Sequence, residues 1–225
     1  MFKTMKVLCF SASDRQDVYG LFHKSFVEYC ERWNIAYKMF PITHLTTRAA
    51  SWTKIQLLIN LIGHDDYKEY DYFWWVDDDM VLTNKNESII DIISNLPRAP
   101  IVVQRDIAGD GCDVVEYDKC LMNCGTMVIQ NSYLARDVLT KIWHSASSSE
   151  MTQPNWEQDT MIRMYRDDST VRDCIALVDW KTLQSFHRLR HYTPVGLTWV
   201  PGDFIAHLTG NSTEERMAMF RHLDV

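Results

Sequence analysis

The chain of 225 residues is 46% hydrophobic and 24% charged, with a formal net charge of −7. That composition suits a globular protein with one substantial core, expected as a single domain over residues 1–225. The acidic balance argues against nucleic acid as the main partner, and no apolar run reaches the length of a membrane span.

In chain order, Lys6 to Ser11 reads as a first strand rather than a signal peptide, and the polar turn "SASDRQD" closes it. Leu21, Phe22, Phe26, Tyr29 and Cys30 then recur at helical spacing. "YKMFPIT" is a second strand, and "SWTKIQLLINLIG" a helix with Gly63 near its stop. "YFWWV" is a strand, "SIIDIISNL" an amphipathic helix, "APIVVQRD" a strand and "MVIQNS" another. Helices follow over "YLARDVLTKIWHSA" and "WEQDTMIRMYR", with the Ser-rich stretch Ser145 to Pro154 between them expected as a mobile loop. "CIALVDW" is a further strand, and Ser212 with Glu215 has capping-box spacing for a terminal helix. Strands alternating with helices predict an α/β protein with a mainly parallel central sheet, which binds ligands beyond the carboxyl ends of its strands.

The cysteines Cys9, Cys30, Cys112, Cys120, Cys124 and Cys174 lack the paired spacing of a zinc ribbon and read as reduced thiols of a cytoplasmic protein. The sequons at Asn86 and Asn211 matter only in a secreted chain.

Asp77, Asp78 and Asp79 end the apolar strand "YFWWV". Three adjacent carboxylates repel one another, and burying them without a counter-charge is costly, so a cation is expected there. If the backbone stays extended, Asp77 and Asp79 face one side and Asp78 the other. Carboxylate oxygens suit Mg²⁺ or Mn²⁺ with positions left open for phosphate. His207, in the apolar "GDFIAHLTG", is a candidate third ligand whose imidazole would favour Mn²⁺ over Mg²⁺. Gly210 and Asn211, ahead of the last helix, would offer N–H groups to phosphate oxygens.

"SWTKIQLLINLI…YDYFWWVDDDMVLTN", "NCGTMVIQNS", "WEQDTMI" and "GDFIAHLTG", in this order, resemble the metal-dependent glycosyltransferases of GT-A fold. The likeness is to the family of fungal galactosyl- and mannosyltransferases and plant xyloglucan xylosyltransferases, and a glycosyltransferase domain of a large algal virus is also similar. The resemblance implies a nucleotide-sugar donor, UDP above GDP, a glycan or glycoprotein acceptor, and retention of anomeric configuration. By position, Asp77 and Asp79 match the family's DxD pair and His207 its metal-ligand histidine. Lys54 matches a lysine near the donor, Asn123 and Gly125 a segment lining the donor sugar, and Ser11, Asp78 and Gly210 join the expected donor contacts. Glu157 and Gln158 match an acidic-Gln pair beside the anomeric carbon. Gln158 would stabilise charge, while Glu157 and Asp159 are the carboxylates to test as nucleophile or base. Cys124 stands where the family often has Ser, and Asp159 where it has a small residue.

Two other readings compete. Asp77 to Val81 fits, in letters, the nucleophile pattern of haloacid-dehalogenase phosphohydrolases, although two strands precede it here rather than none. A nucleotide-sugar-binding module without turnover is the third. The acidic stretch Asp106 to Asp118 does not fit a calcium-loop spacing and reads as an active-site loop. Trp180, Phe186, Tyr192 and Trp199 are candidates for stacking on sugar rings.

Overall fold

The computed structural model describes residues 4–42, 48–106, 121–152, 156–187, 198–210 and 212–223. Asn211, Tyr192 and nearly all of the acidic stretch after Asp106 lie outside them. Strand β1 (Val7–Ala12) is buried along its whole length, pairing in parallel with β2 (Ala36–Phe40) on one side and β3 (Tyr72–Val76) on the other. Beyond β3 the sheet continues through β6 (Asn123–Gln130), β5 (Ile101–Gln104) and β7 (Ile175–Val178), giving the order β2-β1-β3-β6-β5-β7. Only β6 runs against the rest, so the sheet is mixed but mainly parallel. A second sheet joins β4 (Met80–Leu82), β9 (Ile205–His207) and β8 (Ser185–Phe186).

The alternation of β1 divides the core in two. Val7 and Cys9 pack with Phe26, Tyr29 and Cys30 of α1 (Gln16–Trp33). Leu8 and Phe10 pack on the opposite face with Ile55 and Leu58 of α2 (Thr53–Leu61) and Leu139 of α4 (Tyr133–Ser145). The remaining helices are α3 (Ile89–Asn95), α5 (Ser148–Thr152), α6 (Trp156–Asp167), α7 (Ser169–Arg172) and α8 (Thr213–Phe220). Helix ends follow local chemistry. α1 stops at Asn34, which takes a left-handed φ of 53° while its N–H bonds back to Cys30 and Glu31. The capping box of Ser212 and Glu215 forms as the spacing predicts.

The segment expected as a mobile loop is corrected: Ser148–Thr152 is helical, and Glu150 is tied to Arg163 of α6 at 2.8 and 2.9 Å. The strand read at Met127 begins earlier, at Asn123. No described helix is long and apolar enough to cross a membrane.

Candidate active site

Strand pairing assembles the site from distant segments. Beyond β3, the Asp77 N–H donates to the Gly125 carbonyl of β6 at 2.8 Å. The β4–β9 register sets Met80 against His207, and the Leu208 N–H donates to the Asp79 carbonyl at 2.9 Å. Ligand atoms of Asp77, Asp79 and His207 consequently lie within 4.8 Å of one another.

Each carboxylate has its own cation. Asp77 Oδ1 accepts from Lys54 Nζ at 2.8 Å and from the Trp75 indole N–H at 2.7 Å. Asp78 turns away, accepting from the Ser13 hydroxyl at 2.6 Å and from Arg15 at 2.8 and 3.0 Å. Asp79 lies 3.2 Å from His207 Nε2 and accepts from Arg216 at 2.9 Å. The alternation expected for an extended backbone therefore holds in outcome: Asp77 and Asp79 converge and Asp78 does not.

Burial pushes the Asp77 and Asp78 carboxyls above their usual range, against the pull of Lys54 on the first and of Ser13 and Arg15 on the second. Asp79 goes the other way. Burial again pushes it up, but His207, Arg216 and Arg15 outweigh that and hold it at about 2.

Lys54 is deeply buried, only 4% exposed. Its ammonium bonds Asp77, Glu157 Oε1 at 2.9 Å and the Cys124 carbonyl at 3.0 Å, and the Trp75 ring centroid lies 5.5 Å away. Burial lowers the pKa of such an amine, but the two carboxylates overcome it and raise the pKa, keeping Lys54 charged.

Gln158 Oε1 accepts the Cys124 N–H at 3.0 Å while its Nε2 donates to Asp106 Oδ2 at 3.3 Å. Asn123 Oδ1 accepts from the Gly125 N–H and from Gln184 Nε2, both at 2.9 Å. Gly125 is required by space: a Cβ there would meet His207 Cε1 at 2.4 Å and Met80 Cε at 2.6 Å. A cavity of about 480 Å³ opens beside the three aspartates, its lining part charged (Arg15, Lys54, Asp77, Arg216) and part apolar (Trp75, Trp156).

The residues fit a hard divalent cation. Two carboxylates and an imidazole converge, and the buried His207 Nδ1 has no hydrogen-bond partner among the described residues. Gly210, with a left-handed φ of 71°, lines the same cavity. Glu157 is placed as a partner of Lys54 rather than at the cavity wall, and its Oε2 is buried without a partner among the described residues. Asp159 lies apart, its pKa raised by burial and by Glu150. Ser11 is fully buried, its hydroxyl has no partner among the described residues, and its neighbour Ala12 lines the cavity. Of the aromatic candidates, Phe186 stacks on the His207 ring at 5.5 Å, Trp180 donates to the Asp106 carbonyl, and Trp199 donates to Thr83.

Sequence reasoning missed Arg15, Arg216, Ser13 and Trp156. Arg15 had a legible signal, lying in the turn after the first strand where such sheets bind ligands. Arg216 had none, because only tertiary packing turns that face of α8 toward Asp79.

Among solved structures, the chain is similar to a glycosyltransferase involved in glycosylation of the major capsid of PBCV-1 (TM-score 0.69, 16% identity, 96% of this chain and 99% of that one). It is also similar to mouse xyloside xylosyltransferase 1 (TM-score 0.52, 11% identity, 92% of this chain and 98% of that one). The fold is that of the GT-A glycosyltransferases. Residues 9–218 match the galactosyl transferase GMA12/MNN10 family, and the chain belongs to that family. Relatives in Schizosaccharomyces pombe include the probable α-1,2-galactosyltransferases gmh2 (22% identity, 84% of this chain and 60% of that protein) and gmh1 (20%, 87% and 64%). The chain thus spans about three-fifths of the length of these relatives. Family membership removes the phosphohydrolase reading of Asp77 and Asp79.

Proposed function

We propose that residues 1–225 form one catalytic domain that moves a glycosyl unit from a UDP-sugar to a glycan or glycoprotein acceptor, with retention of anomeric configuration. Asp77, Asp79 and His207 would hold Mn²⁺, with Mg²⁺ as the substitute. The observation that carries this reading is the convergence of those three side chains within 4.8 Å of one another, beside a cavity lined by Asp77, Asp79, Arg15 and Arg216. When bound, the cation supplies Lewis-acid stabilisation of the charge developing on the leaving diphosphate.

The chain's own residues do the rest. Arg15 and Arg216 add positive charge where a diphosphate would lie, and the Gly210 backbone approaches closely for want of a side chain. Lys54 holds Asp77 in place and neutralises Glu157. Four carboxylates (Asp77, Asp78, Asp79, Glu157) face three side-chain cations (Lys54, Arg15, Arg216), a balance that favours a divalent cation before an anionic donor enters. Asn123, Asp106 and Gln158 form a hydrogen-bonded group suited to sugar hydroxyls. With its oxygen committed to the Cys124 N–H and one amide proton to Asp106, Gln158 has its second amide proton to stabilise negative charge without serving as an acid. Because Glu157 Oε1 is bound to Lys54, Glu157 is read as a positioning residue rather than a nucleophile, which supports attack from the leaving-group face.

A panel of UDP- and GDP-sugars, assayed with and without Mn²⁺ and with NMR assignment of the product anomer, tests the reading. Metal-dependent transfer with a retained anomer is expected. An inverted anomer overturns the retaining mechanism, and absence of transfer from every donor overturns the activity.

A further inference from the structure

Trp156 is 36% exposed and lines the cavity. Its position at the start of α6 sets it directly before Glu157 and Gln158. The other tryptophans are engaged. Trp33, Trp52, Trp74, Trp75, Trp180 and Trp199 each donate the indole N–H, and Trp143 packs edge-on against Trp52. The Trp156 side chain makes no hydrogen bond, ion pair or ring contact among the described residues. Its backbone is also unusual, with φ at +35°, a region that bulky residues rarely adopt. Strain of this kind persists where the surrounding structure imposes it, and it concentrates at ligand sites. A large apolar ring is therefore held beside the charged side chains of Arg15, Lys54, Asp77 and Arg216 at the cavity wall, with no ring of the described residues stacked on it.

We propose that the Trp156 indole is the platform on which the apolar face of the acceptor's pyranose ring stacks, which makes it a specificity-determining residue. This rests on the glycosyl-transfer reading of the same site. The other needs of the reaction are met elsewhere. Arg15, Arg216 and Gly210 provide for the diphosphate, and Asn123, Asp106 and Gln158 provide polar groups for the donor sugar. An acceptor entering from solvent meets a half-open aromatic face adjacent in sequence to the Glu157–Gln158 pair. A pyranose has an apolar C–H face that suits an indole, whereas a diphosphate does not.

The test compares wild type with Trp156→Ala and Trp156→Phe, all checked for folding by circular dichroism. Binding of methyl α-mannopyranoside, methyl α-galactopyranoside and methyl β-xylopyranoside is followed by saturation-transfer NMR in the presence of UDP and Mn²⁺. UDP affinity is measured separately by calorimetry. At least one glycoside is expected to bind wild type and Trp156→Phe, to bind Trp156→Ala about two- to tenfold more weakly, and to leave UDP affinity unchanged. Equal glycoside binding by Trp156→Ala overturns the proposal, as does wild type binding none of the three. A parallel loss of UDP affinity also overturns it, since the indole would then serve the nucleotide. Failure of the broader reading shows separately, as absence of turnover of any nucleotide sugar by the wild type.

Discussion

Replacing Lys54 by methionine removes the cation that two buried carboxylate contacts share, at 2.8 Å to Asp77 and 2.9 Å to Glu157. Methionine fills much of the same volume, so the loss is mainly electrostatic. Deleting one partner of a buried ion pair costs about 3–5 kcal/mol, because the other charge is left uncompensated. The two pairs share one ammonium and so do not add. Glu157, 4% exposed, bears most of the cost, while Asp77 keeps the Trp75 indole N–H and access to water. Lys54→Met alone should therefore lose about 3–5 kcal/mol in urea unfolding, a large part of the roughly 5–15 kcal/mol of an ordinary domain. Adding Glu157→Gln removes the stranded charge and should return at least about half of the loss, a coupling that a double-mutant cycle reads directly. A loss below about 1 kcal/mol, or strict additivity of the two substitutions, would refute the view that Lys54 is the electrostatic centre of the site.

Gly125→Ala should destabilise by about 1–3 kcal/mol through overpacking and weaken Mn²⁺ binding by displacing His207. Gly20→Ala, where nothing lies within 4 Å of the added carbon, is the control and should be neutral or slightly stabilising in thermal unfolding. Gln158→Ala should lower kcat about a hundred- to a thousand-fold with little change in donor affinity, and a matching rise in donor KM at constant kcat would contradict its transition-state role. Hydrogen bonding from Arg163 holds the Glu150 carboxyl down at about 2. A depressed carboxylate contributes stability that is complete above the unfolded value of about 4.3 and is lost as the pH falls through the folded one. Glu150→Gln should thus be less stable than wild type at pH 7, with the gap closing between about pH 4.3 and 2. A gap that persists unchanged at pH 2 would sink the assignment.

Much of this was legible because local chemistry decided it. The apolar run before Asp77 could only be buried strand, and three carboxylates at its end demanded counter-charges, which Lys54, Arg15 and Arg216 supply. What stayed hidden depends on long-range pairing. Ser11 and Ser13 fall on the same face of the chain, but Ser11 is still inside the sheet when Ser13 has cleared its edge and reached Asp78. The Ser-rich stretch carries no strong helix signal, and its helix is supported by the Glu150–Arg163 pair across to α6. The second sheet rests on strands of two or three residues, below what periodicity resolves, yet its Met80–His207 register is what delivers the imidazole to the aspartates. Motif order supplied His207 where periodicity did not.

Calorimetric titration of UDP into the protein, with Mn²⁺ and then with EDTA, in wild type, Asp79→Ala and His207→Ala, tests the metal-held donor most directly. The expected result is tight UDP binding by wild type only with Mn²⁺, lost on chelation and strongly weakened in both variants while their circular dichroism stays native. UDP binding that is equally tight in EDTA, or unchanged in both variants, would contradict the assignment of Asp77, Asp79 and His207 as the ion's ligands.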